Sequence, residues 1–139
     1  MKILLWVLFG SGQSRQGFDW EKDALQNICL VLGLINALRN VLRIQYKGLL
    51  WLGVPCNSFT TMSISQHRRS AAYPYGRQVW PFVIQGNTIC SRSCLLVLVA
   101  VVRSVGFFIE NPLRSTIDFW PYLNFLIHQS WLGVQRVSW

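Results

Sequence analysis

This chain has little acid. Five Asp and Glu stand against 13 Lys and Arg in 139 residues, a formal charge of +8. That balance excludes an acidic, cation-collecting surface and favours polyanionic partners drawn in by electrostatic steering. Each acid is therefore informative. Asp19, Glu21 and Asp23 cluster within five residues, and Asp118 lies near the C-terminal end. Glu110 alone follows an apolar run, where a carboxylate is costly unless it has work or a partner.

Other absences narrow the field further. Cys29, Cys56, Cys90 and Cys94 form no C-x-x-C pair, and only His67 and His128 could join them, so no metal-ligand spacing emerges. Cys29, Cys90 and Cys94 read as small buried hydrophobes. Nothing demands an oxidising compartment. Long apolar runs are also missing: Ser93 to Val102, closed by Arg103, is about half of the roughly 20 residues a spanning helix needs. Lys2 followed by Ile3 to Phe9 looks like the start of a signal peptide, but no Ala-x-Ala-like site follows. There are no internal repeats and no low-complexity tract.

What is present is apolar: 52% hydrophobic residues against 13% charged. The length suits one domain with a modest core. Leu49 to Val54 and Val105 to Ile109 are uninterrupted apolar runs, which predict strands buried on both faces of a parallel sheet. From Ala24 to Leu42, apolar residues recur at Ala24, Ile28, Val31, Ile35, Leu38 and Leu42, one face of a helix. Gly33 interrupts it, which favours a helix proper from about Leu34 to Arg43. Thr60 to Trp80 is polar, basic and without periodicity, a loop of the length that more often serves function than filling. Asn87 is the expected N-cap of a helix from Thr88 to Arg103, with Pro81 and Gly86 arguing against an earlier start. Helix, strand, loop, helix, strand is half of a doubly wound α/β sheet. In such sheets ligands bind beyond the carboxyl ends of the strands, the rim to which Cys56 and Glu110 would be delivered.

Those two positions sit in motifs. Pro55-Cys56-Asn57-Ser58-Phe59-Thr60 resembles the Pro-Cys-Gln-x-Phe-Ser nucleophile motif of cytosine-5 methyltransferases, and Glu110-Asn111-Pro112 resembles their Glu-Asn-Val motif. The resemblance covers roughly residues 45 to 115, and a diverged Glu-Asn-Pro group is the closer likeness. It implies a partial Rossmann-like, class I methyltransferase fold, α/β, with a mostly parallel sheet flanked by helices. It also implies S-adenosylmethionine as cofactor and DNA or RNA as partner. Cys56 would be the nucleophile adding to carbon 6 of cytosine, and Glu110 the acid holding ring nitrogen 3 and the exocyclic amine. Asn111 would orient the loop and Pro55 would shape the turn exposing the thiol, beside the cofactor. Arg68, Arg69 and Arg77 would grip the backbone of a nucleic acid whose target base has left its stack.

The likeness breaks at both ends. Phe9-Gly10-Ser11-Gly12 resembles the family's Gly-rich cofactor loop, and Asp19 or Glu21 could be the ribose-binding acid. Yet Gly12 and Asp19 are seven positions apart, where a strand–helix–strand unit needs roughly twenty. The family's target-recognition region has no counterpart after Pro112. The chain thus reads as one incomplete methyltransferase-like domain: residues 1–23 a degenerate N-terminal part, 24–115 the core, 116–139 an extension. The expected function is that of a fragment or degenerate cytosine-5 methyltransferase, or else a non-catalytic basic remnant that binds nucleic acid weakly. A third reading, suggested by the apolar N-terminus and seven Trp, is a small membrane-associated or secreted protein. The expected setting is intracellular, the nucleus included, with no metal and no membrane. Nothing in the sequence sets the oligomeric state.

Overall fold

A computed structural model describes residues 4–8, 16–19, 25–54, 56–112, 114–129 and 133. Four strands, β1 (Leu4–Leu8), β2 (Gln16–Asp19), β3 (Leu49–Gly53) and β4 (Gly106–Glu110), form one sheet in the order β2-β1-β3-β4. Helix α1 (Val31–Arg43) leads into β3, and α3 (Pro81–Val102) links β3 to β4. Between them lie the four-residue α2 (Ile64–His67) and 3-10 turns at Cys56–Ser58 and Thr61–Ser63. A further 3-10 turn at Thr116–Phe119 precedes α4 (Pro121–Ile127).

Both apolar runs are strands, and they are parallel neighbours with Leu50 opposite Phe107 and Gly53 opposite Glu110. The molecule is α/β, with this parallel pair flanked by helices. The sheet is mixed rather than mostly parallel, because β1 runs antiparallel to both β2 and β3. Burial also differs from expectation. Leu50 and Leu52 are buried with Ala37 and Val41 of α1 and Leu96 and Val97 of α3, while Leu49 and Trp51, pointing the other way, are half-buried. On that second face Trp51 meets Phe108 across the strands, ring centroids 5.0 Å apart. β4 is a sheet edge, exposed at Gly106 and Glu110.

Both long helices depart from the periodicity reading. In α1 the buried line is Gly33, Ala37, Asn40 and Val41, whereas Val31, Ile35 and Leu42 are exposed at 66%, 47% and 50%. The helix is apolar on two sides, and period alone cannot say which side faces the core. Nor does Gly33 delay the helix. A Cβ there would lie 2.0 Å from the carbonyl oxygen of Asn27, so glycine lets the preceding turn lie directly on the helix. α3 starts at Pro81, seven residues early, because proline is favoured at the first helical position, where no N–H is needed. Starting there makes it long and apolar enough, by length and composition, to cross a membrane. Here its buried residues, among them Ile89, Leu96, Val97 and Ala100, join the core that α1 and the sheet share.

Candidate functional site

Strand direction decides what the rim holds. β3 and β4 both end on the same edge of the sheet, so the turn beginning at Cys56 and the segment beginning at Glu110 leave it side by side. Asp19 reaches that edge too, since it pairs with Leu4 while Leu5 pairs with Leu52. Pro55 and Glu21 lie outside the described residues.

The Cys56 turn is held from below by a residue the sequence reading had assigned to the surface. Arg69 is 2% exposed. Its Nε donates to the Ser58 carbonyl at 2.7 Å, Nη1 to the Pro74 carbonyl and Asn87 Oδ1 at 2.7 and 2.8 Å, and Nη2 to Ser58 Oγ and the Val83 carbonyl at 2.7 and 3.3 Å. Those five bonds use all five guanidinium N–H groups. The cation also lies 4.3 Å from the centre of the Phe59 ring and 5.7 Å from that of Trp120. Burial pulls its pKa down to about 10, so it stays charged at neutral pH. Arg69 is therefore a strut joining the Cys56 turn, the 68–77 loop and α3, and no donor remains for a phosphate. Arg68 and Arg77 are exposed.

His67 completes the clamp. Fully buried, it accepts the Arg69 backbone N–H at Nδ1 (3.0 Å), so the ring proton sits on Nε2 and is donated to the Thr60 carbonyl (2.8 Å). Gly76 closes the loop above it, at φ +65° and with no room for a Cβ, which would stand 2.6 Å from the His67 carbonyl oxygen. Gly86 serves α3 in the same way: a Cβ there would lie 2.4 Å from Ser58 Oγ. Asn87, expected as a helix cap, instead ties Arg69 to the Tyr75 carbonyl, which its Nδ2 reaches at 3.0 Å.

A second clamp joins the two motifs. The Phe59 carbonyl accepts from the Thr116 N–H (2.7 Å), Thr116 Oγ1 (3.0 Å) and Ser115 Oγ (3.2 Å). Four residues past Pro112 the chain is thus anchored to the end of the Pro-Cys motif. Neither Ser115 nor Thr116 was marked by sequence, and no pattern singles them out from other hydroxyl residues.

No family model, curated protein or solved structure matches the chain. The site must be judged on its own geometry.

Cys56 is a half-buried thiol at the start of a clamped turn. Of the other cysteines, Cys90 is buried, and burial together with the neighbouring Cys94 pushes its pKa well above the ordinary value. Burial also raises the Cys29 thiol, against the opposing charge of Arg92. Glu110 is exposed. The burial argument that first marked it therefore lapses, and its register position is what recommends it. Asn111 makes no hydrogen bond that would orient a loop, because its enclosed Nδ2 and Oδ1 are both without a partner among the described residues. An amide enclosed this way is an uncompensated cost that an incoming donor–acceptor pair would offset.

The residues described do not fit S-adenosylmethionine as the resemblance requires. β1 is antiparallel to β3, with Leu8 beside Leu49, so β1 ends at the opposite edge from Glu110. β1 and β2 are moreover antiparallel neighbours, not the parallel pair of a strand–helix–strand unit. Gly10 and Gly12 themselves lie outside the described residues. Among the described residues, no group of three or more His, Cys, Asp and Glu is placed to hold a metal.

Proposed function

We propose that this protein is a degenerate relative of the cytosine-5 methyltransferases that engages a cytosine of DNA or RNA at the β3–β4 rim without the cofactor half of the reaction. The parallel register that sets Gly53 opposite Glu110 carries this reading, with the Phe59–Thr116 tie holding the two motif loops together. Carbon 6 of cytosine takes up a thiolate when ring nitrogen 3 gains a proton. In the proposed step a water molecule takes the Sγ proton, the Cys56 thiolate forms the new bond to carbon 6, the ring electrons move toward carbon 5, and the protonated Glu110 carboxyl supplies the proton to nitrogen 3. Carbon 5 is then an enamine carbon that takes a proton from water. Loss of the hydrogen originally on carbon 5 to water, expulsion of Sγ as the thiolate, its reprotonation by water and return of the nitrogen 3 proton to Glu110 regenerate cytosine and enzyme. The Asn111 amide offers one donor and one acceptor to the base or its backbone.

This step leaves a signature that needs no cofactor. Nucleic acid carrying tritium at cytosine carbon 5 should release it to water, and Cys56→Ser should abolish the release. Glu110→Gln should slow it about 10²-fold or more, the usual scale of an acid–base contribution. Release undiminished in Cys56→Ser, or none from folded protein with single-stranded DNA or RNA, sinks the reading. Transfer of label from tritiated S-adenosylmethionine would show that a cofactor site forms after all. The strand directions lead us to expect none.

A further inference from the structure

Beyond the rim, on the flank of α3, lies an open cleft of about 440 Å³, within the range of about 300–1,000 Å³ usual for small-ligand sites. Three aromatic residues line it. Tyr75 and Tyr122 both meet Trp120 edge-on, at centroid distances of 5.1 and 6.5 Å. Of the polar residues along it, Asn87 and Thr88 are already bonded within the fold, while Arg92, Gln78 and Ser91 leave donors unused. Arg92 gives only Nη1 to the carbonyls of Ile28 and Leu30, leaving Nε and Nη2 without partners among the described residues. The Gln78 amide and the Ser91 hydroxyl likewise make no hydrogen bond there. Trp120 is 1% exposed, and its buried indole N–H also has no partner. Among the described residues no acid lines the cleft.

Each observation narrows the ligand. Flat aromatic walls select a planar ring, since a tyrosine face stacks on any base. A half-used guanidinium in a cleft that no carboxylate lines among the described residues selects an anion. The Trp120 indole N–H, buried and without a partner among the described residues, carries a standing cost that an acceptor offsets, and the more exposed Gln78 amide and Ser91 hydroxyl can add further bonds to a ligand. A purely apolar ligand would satisfy none of these groups, and bare phosphate would leave the aromatic walls idle.

We infer that this cleft binds one nucleotide unit, its base against Tyr75 and Tyr122 and its phosphate at Arg92, either as a free mononucleotide or as one residue of a strand. The site is separate from Cys56 and does not depend on thiol chemistry there. Equilibrium dialysis of the full chain against labelled CMP, with a short single-stranded oligonucleotide and inorganic phosphate as competitors, tests it. CMP should bind, and Tyr122→Ala should weaken it at least about fivefold, the low end of a lost stacking contact. Arg92→Lys, which keeps the charge but loses the fork, should weaken it as well. Tyr73→Ala, exposed but outside the cleft, should bind like the parent. If CMP fails to bind but the oligonucleotide binds and weakens in Tyr122→Ala, the source is a strand. Phosphate competing as well as CMP overturns the inference, as does failure of both CMP and the oligonucleotide to bind, or binding unchanged in both Tyr122→Ala and Arg92→Lys.

Discussion

Arg69 shows how much one side chain decides in a small domain. Among the described residues it is a buried cation with no carboxylate beside it, its charge met by carbonyls, a hydroxyl, an amide and two ring faces. Such an arrangement tolerates no near substitute, because a lysine ammonium has three donors on a flexible stem and cannot reproduce the planar fork. Arg69→Lys would strand at least two buried acceptors, at about 1–3 kcal/mol each. We expect it to lower unfolding stability by at least about 2 kcal/mol in urea titrations, and Arg69→Met by more. Arg68→Gln, one position earlier but exposed, should stay within about 0.5 kcal/mol of the parent. Equal tolerance at both positions would remove the strut from the account. Two adjacent arginines in a basic loop look alike in sequence. Only the carbonyls that converge on the second tell them apart, and those come from residues 5 to 14 positions away.

At the scale of elements, the strands were legible and the helix faces were not. A continuous apolar run bounded by turns admits few alternatives, and both β3 and β4 lie where such runs lie. α1 carries two apolar stripes, and the choice between them rests on where α3 and the sheet happen to be. The start of α3 was misjudged because Pro81 and Gly86 were weighed as breakers. In place, one supplies a preset first turn and the other a gap for Ser58. These assignments make opposite predictions for residues two apart. Ile35→Lys, on the exposed stripe, should change stability by less than about 0.5 kcal/mol and improve solubility. Ala37→Lys, at 0% exposure beside Val41, should unfold the protein, as burying an unpaired ammonium requires. Circular dichroism melts of the two variants decide it: an unstable Ile35→Lys with a stable Ala37→Lys would restore the stripe first read from the sequence.

For the whole molecule, the governing quantity is charge, and here composition and structure can be separated. The sequence reading took the +8 balance as a sign of polyanionic partners and named three arginines for the contact. Burial removes Arg69 from that set and leaves Arg68 and Arg77 exposed on the loop that Arg69 ties to the Cys56 turn. Each phosphate neutralised on a single strand contributes about 0.7 to the slope of log K against log salt. Binding of single-stranded DNA or RNA should therefore weaken steeply as salt rises, and the double change Arg68→Gln, Arg77→Gln should flatten the slope by about 1.4 if each arginine meets one phosphate. Tyr122→Ala should act differently, lowering affinity at every salt concentration while leaving the slope alone, because stacking releases no counterions. A slope unaltered by the arginine pair would mean that the remaining Lys and Arg carry the contact, and the 68–77 loop would lose its claim to position a strand near the thiol.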